Sequence, residues 1–255
     1  MSGWRGQVLF GLLCYGVFLV AKMPASWAYE RLAFYLSPLR VGGLTGTIGS
    51  GAFSELAWGT LRLGSGKWRV VPESLLAGRL GVDVVLGVPG AAMYATGRVG
   101  IAGVSALFAE GVTVEVDIEP LRVGLGMIPP GSRGRIAGRL ETLLADRQGV
   151  RVVRGHGAGV GLHLGSPLNV ELGDLSGELQ PDEGRGVLVR LADRAGPWLV
   201  RLTIGVKPDG GFRARGQVAA RDGTDQRAMN LLRVLGPVDG QGWVRIDERG
   251  RLPGW

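Results

Sequence analysis

Residues able to move protons, hold metals or attack a carbonyl are few in this sequence, and they do not converge. Its two histidines, His156 and His163, stand seven positions apart in a glycine-rich segment that alternates like a strand, with His163 pointing away from Val160, Leu162 and Leu164. Two imidazoles without carboxylates near them make a poor metal site, so both read as surface histidines. The acidic pair Asp182 and Glu183 falls in a loop with Pro181 and Gly184 and reads as solvated turn residues. Gly155, Gly157, Gly159 and Gly161 resemble a phosphate loop only in composition. They alternate strictly and no helix follows to aim its amides at an anion, so they predict a flat strand against which something packs closely. Gly64, Ser65, Gly66 and Lys67 lack the spacing of a nucleotide loop and predict a hairpin turn between two strands. No nucleophile elbow or zinc-binding helix pattern occurs. The single cysteine, Cys14, excludes an intrachain disulfide and a thiolate metal site, and Leu13 before it does not fit a lipoprotein acylation site. The expectation is a protein with no catalytic, cofactor-binding or metal-binding residues, and so not an enzyme.

The elements that would carry such residues divide unequally. Val8 to Ala21 is one apolar run of 14 residues, about 21 Å as a helix and short of a hydrocarbon layer of roughly 30 Å. Trp4 and Trp27 at the interfaces, with Arg5 and Lys22 able to snorkel, would complete the span. The segment therefore predicts a transmembrane anchor, with Leu9, Phe10, Leu12, Leu13, Val17, Phe18, Leu19 and Val20 as its membrane residues. Cleavage near Ser26, Trp27 and Ala28 is the competing reading. Arg5 before the span against Lys22, Arg31 and Arg40 after it gives the positive-inside rule no purchase on orientation. After Pro24, Ala25 to Leu36 reads as a short helix, either interfacial or the first helix of the core.

Beyond it the pattern has period two. Val112, Val114, Val116 and Ile118 alternate with Thr113, Glu115, Asp117 and Glu119; Leu80 to Val88 and Trp198 to Val206 repeat the pattern. Pro208, Asp209, Gly210 and Gly211 between Val206 and Phe212 predict an antiparallel hairpin. The apolar phase shifts at Gly173 and Asp174, as a β-bulge requires. A helix is predicted after a Thr224 cap, with Ala228, Leu231, Leu232 and Leu235 inward and Gly236 and Pro237 ending it. Weaker helical signals lie at Pro72 to Leu76 and Leu121 to Met127.

The chain has 255 residues, 45% of them apolar, which is enough for a core, while 46 glycines without a triplet period belong in turns and bulges. The predicted fold is mainly β: an N-terminal transmembrane helix, then a curved, mostly antiparallel β-sheet domain with one or two short helices. The expected divisions are 1–23 as an N-terminal stub and transmembrane anchor, 24–40 as a juxtamembrane helix and 41–255 as the β domain. Net charge is +7, mostly from arginines spread singly through strands. Without a basic helix, an aromatic ladder or an arginine-rich arm this does not predict nucleic-acid binding, and it fits a solvated outer face near anionic lipid.

Two stretches resemble the type II secretion system protein N (general secretion pathway protein N) family. The first is Lys67, Trp68, Arg69, Val70, Val71 and Pro72, then Leu75, Leu76, Gly78, Arg79 and Leu80. The second runs from Asp193, Gly196 and Pro197 through Pro208, Asp209, Gly210, Gly216 and Arg221 to Leu235, Gly236, Asp239, Gly242 and Gly250. Pro24 and Ala25 fit as well, whereas Gly49 stands where the family usually has tryptophan. Trp68, Pro72, Gly196, Pro197, Gly210, Gly236 and Asp239 are then structural motif residues. The resemblance implies a single-pass inner-membrane protein of Gram-negative bacteria with its C-terminal domain in the periplasm. It would contact other type II secretion components, and the bilayer through its helix, to assist export of folded proteins across the outer membrane. A membrane-tethered carrier holding lipid or another apolar ligand in a β groove is the alternative.

Overall fold

A computed structural model describes residues 22–36, 39–103, 105–125, 128–167 and 169–251, with Trp4, Gln7, Val8, Gly11, Tyr15, Gly16, Phe18 and Leu19. Period-two segments become strands between turns: β1 (Leu39–Gly42), β2 (Thr45–Gly46), β3 (Ser50–Trp58), β4 (Leu61–Val71), β5 (Arg79–Leu86), β6 (Met93–Ala102) and β7 (Ala106–Asp117). The series continues with β8 (Arg133–Asp146), β9 (Gly149–Leu164), β10 (Val170–Pro181), β11 (Val187–Ala195), β12 (Trp198–Val206), β13 (Gly211–Ala220) and β14 (Trp243–Arg251). The described helices are α1 (Ala25–Leu36), α2 (Glu73–Leu76), α3 (Ile118–Leu125) and α4 (Gln226–Leu235).

From β3 to β14 every strand pairs antiparallel with its predecessor, and β1 and β2 both line the outer side of β3, giving one 14-stranded sheet in chain order. Among the described residues no pairing joins β1 to β14, so the sheet is open. Alternation gives it two faces. On the dry one, Val84 on β5, Val114 on β7, Leu140 on β8 and Leu179 on β10 point the same way; on the wet one stand Asp83, Thr113, Arg139, His156 and Glu178. Most of the sheet is a single layer. The accessible surface is 16484 Å² for 26.9 kDa, where a compact monomer of that mass exposes about 10,800 Å².

The densest packing lies at the C-terminal end, where Trp198, Ala228, Leu232 and Val244 form a buried cluster under α4 with Val200, Val218 and Ile246 against it. Leu232 and Val244 are fully buried. Ala228, Leu231 and Leu232 face inward as the helical period predicts, but the cap is Asp225: its carboxylate accepts the Ala228 amide at 3.3 Å. Thr224 instead binds the Asp222 carboxylate through both its amide and its hydroxyl. A smaller packed region lies at the other end, where Trp68 and Phe53 stack at 6.1 Å and the Trp68 indole N–H donates to the Ile48 carbonyl at 3.2 Å.

Other expectations shift. Gly64 to Lys67 is not a hairpin turn but the interior of β4; Gly64 has φ +89° where the β3–β4 register slips, and the reversal comes earlier, at Gly59 and Thr60. Ile118 and Glu119 open α3 instead of ending β7, so that helix begins three residues before Leu121. Val88 falls outside β5. The bulge at Gly173 (φ +75°) and Asp174 is present, with shifts against both β9 and β10's other neighbour, β11. The hairpin at Pro208 to Gly211 joins β12 to β13 as predicted, closed by the Lys207 amide on the Gly211 carbonyl at 2.8 Å.

At the N-terminus α1 is tied to the first strands: the Val41 amide donates to the Tyr29 hydroxyl at 3.0 Å, and the Ile48 amide to the Met23 carbonyl at 2.9 Å. Strand pairing begins at Leu39. Of the expected anchor residues, Phe18 and Leu19 are helical and exposed, while Leu9, Phe10, Leu12, Leu13, Val17 and Val20 lie outside the described residues, as does Cys14. Among the described residues no helix is long and apolar enough to cross a membrane.

Candidate functional site

The residue types that could do chemistry stay apart on the sheet. Cross-strand register puts His156 between Arg139 and Glu178, with its Nδ1 at 3.4 Å from a Glu141 carboxylate oxygen, and puts His163 between Arg133 and Glu171. Carboxylates are therefore close to both imidazoles, contrary to the sequence expectation. They come from neighbouring strands, which linear spacing does not show. The two histidines remain separate, one exposed and one half-buried, and among the described residues no three metal-ligating side chains gather. Asp182 and Glu183 form the β10–β11 turn, the Asp182 carboxylate accepting the Glu183 amide at 3.0 Å.

The motif residues converge on turns. Asp193 on β11 accepts the Val200 amide at 2.9 Å through one oxygen and pairs with the Arg221 guanidinium through the other. Arg221 also donates to the Gly196 carbonyl at 2.8 Å, and its amide to the Pro197 carbonyl at 2.7 Å. Burial pushes the Asp193 carboxyl up, but the Val200 amide and the Arg221 charge outweigh it and hold the group below the ordinary carboxylate range. Gly196 (φ +131°) lies where the backbone of Gly173 approaches so closely that neither position accepts a Cβ. Gly210 (φ +78°) closes the β12–β13 turn with its amide on the Lys207 carbonyl at 3.0 Å. Asp239 accepts the amides of Gln241 and Trp243 at 2.9 Å each, setting the entry to β14 after the helix end at Gly236, whose amide reaches the Leu232 carbonyl at 3.1 Å. Pro72 leads into α2, its carbonyl accepting the Leu75 amide at 3.0 Å. Each of these contacts fixes the path of the chain, and none presents a reactive group.

What the fold does assemble is a pair of surfaces. On the dry face Gly138, Gly157 and Gly177 are direct cross-strand partners on β8, β9 and β10. They floor a groove of about 430 Å³ walled by Ile136, Leu140, Leu175, Leu179, Val189 and Leu191. The close packing expected on the glycine strand is present at Gly159, where a Cβ would come within 2.6 Å of the Leu162 side chain, and at Gly155, where one would lie 2.8 Å from the Arg139 carbonyl oxygen; a Cβ on Gly157 would come within 3.1 Å of the Ala137 carbonyl oxygen, whereas one on Gly138 opposite would meet nothing nearer than 3.5 Å. Among the described residues nothing covers the groove. Gly157 was visible in the glycine run, but its companions lie about twenty residues to either side and only the register joins them. The wet face carries the second surface, an arginine field over the last four strands.

These features define a class of protein, an open one-layer antiparallel sheet whose described residues build docking surfaces and turn clamps. The chain belongs to the type II secretion system protein N family, whose model matches residues 37–247, and with that it falls among type II secretion components. Comparison with curated proteins and with solved structures returned no match.

Proposed function

We propose that the chain is a non-catalytic component of the type II secretion system that assists export of folded periplasmic proteins across the outer membrane by protein–protein contact. The family match across most of the chain carries this reading. A single-layer sheet whose wet face and the middle of whose dry face are uncovered among the described residues supports it, since the area left in solvent is area available to other secretion components. In this reading residues 1–23 anchor the protein in the inner membrane, α1 lies along its surface, and the sheet from Leu39 onward is in the periplasm. Tethering would raise the effective concentration of the domain near its partners. The exposed apolar side chains of Val8, Tyr15, Phe18 and Leu19, and the Lys22 ammonium over the Phe18 ring at 5.6 Å, support the anchor. Neither a cofactor nor nucleic acid enters the proposal. Deleting the gene should impair export while the purified protein turns over no substrate; unimpaired export would refute it.

The dry groove favours a second reading, a tethered carrier with a lipid or another apolar molecule over the Gly138, Gly157 and Gly177 floor. Native mass spectrometry of the purified protein separates the two. Co-purified lipid that Gly138→Leu displaces supports the carrier, and protein isolated without lipid removes it.

A further inference from the structure

The wet face is electrically uneven. Over β5 to β8 its charges cancel across strands: Arg98 donates to Asp83 at 2.7 Å, Arg79 to Glu110 at 2.6 Å and Arg135 to Asp117 at 2.8 Å. Over β11 to β14 they do not. Register places Arg190, Arg201, Arg213, Arg215, Arg245 and Arg249 on one face, where the facing pairs are Arg213 with Arg249, Arg215 with Asp247 and Gln217 with Arg245. Asp247 is the carboxylate they share. It binds Arg213 through both oxygens, at 2.8 and 2.6 Å, and lies 3.8 Å from Arg215. Arg201 stacks over Trp243 at 5.5 Å, while Arg190, Arg245 and Arg249 have no hydrogen-bond or ion-pair partner among the described residues. Like charges directly opposed on a sheet destabilise it, so the Arg213 and Arg249 pair works against the fold. A hollow of about 470 Å³ opens between Arg201, Arg213, Arg215 and Arg245.

We propose that this arginine face docks an acidic, extended segment of another protein of the secretion machine. The inference rests on the reading of the chain as a contact protein and names the partner's chemistry. Guanidinium forks match carboxylates in two-point contacts, and Arg213 on Asp247 already shows that mode. Alternate residues of a strand repeat about every 6.8 Å, so Arg213 and Arg215 match every second residue of an extended chain laid along them, and Arg245 and Arg249, about 13.6 Å apart, every fourth. An anionic bilayer is the competing source of charge, but the residues interleaved with the arginines are Ala192, Thr203, Gly205 and Gln217, and Trp243 lies under Arg201. Trp243 alone among them suits a lipid interface, and it is half-buried beneath the Arg201 guanidinium.

The test uses the full-length protein in nanodiscs of zwitterionic lipid, titrated with a fluorescent peptide of four Glu-Thr repeats and with its Lys-Thr counterpart. Binding of the glutamate peptide should fall about tenfold or more in the triple variant R201E/R215E/R245E, and by less than about twofold in R62E/K67E/R69E on β4, which changes net charge equally. Equal losses in the two variants, or no binding to the wild type, overturn the proposal. So does arginine-dependent binding to phosphatidylglycerol vesicles without binding to the peptide. In cells lacking the native gene, R201E/R215E/R245E at wild-type abundance should not restore export. Full restoration by that variant defeats this inference alone, whereas export unaffected by the deletion itself defeats the reading beneath it.

Discussion

Two regions of the same sheet meet their apolar face in opposite ways. At the C-terminal end α4 folds back over β12 to β14, and Trp198, Leu232 and Val244 bury themselves in the result. In the middle, β8 to β10 present paired glycines and half-buried leucines to open space. Both regions have the same alternating pattern, so alternation alone does not determine whether a dry face is covered from within. What differs is the following segment: a 10-residue amphipathic helix after β13, but only tight turns between β8 and β11. The capped end is packed from within, and among the described residues nothing covers the middle. Stability and function should therefore respond to mutation in different places.

The largest effect is expected under the helix. Leu232→Ala should lower unfolding free energy by about 2 to 5 kcal/mol in urea titration, because it leaves a cavity in the best-packed part of the molecule. A smaller loss would mean that α4 is not the main clamp. Next comes the polar clamp between the regions. Asp193→Asn should cost roughly 1 to 3 kcal/mol by weakening the contacts to Val200 and Arg221 together. Because the fold holds Asp193 below its ordinary range, its contribution should be complete at neutral pH and fade as acid protonates the folded carboxylate. The Asn variant should therefore flatten the acid limb of the stability curve. Gly196→Ala, at φ +131° and against Gly173, should cost on the order of 1 kcal/mol or more.

The smallest effect belongs to the bare middle. Gly138→Ala should change stability by less than about 0.5 kcal/mol, since its Cβ has room. A large loss there would show that the groove is closed in solution and would abolish the contrast between the regions.

Turn chemistry was the most legible part of the sequence. Pro208 to Gly211 could form little other than a hairpin, and Gly173 broke the apolar phase visibly. The helix over Gln226–Leu235 followed from its period, but Thr224 and Asp225 are both good caps, and only the Asp222 carboxylate, by engaging Thr224, settles which one serves. Gly64 misled because a bulge and a turn ask the same of a glycine, a positive φ. The carboxylates beside His156 and His163, the glycine floor and the arginine face could not be read locally. Each is a product of register between strands, and register adds up over a long meander. The turn residues of the family pattern marked the chain's relatives well and the surfaces poorly, because they fix the frame and leave its faces to the residues between.

Site-specific photo-crosslinking in cells tests the central claim most directly, with the probe placed at Gln217 amid the arginines and at Gly138 on the glycine floor. The account predicts protein adducts from at least one position that disappear when the other secretion components are deleted. Adducts that persist unchanged without those components, or none from either position, would contradict it.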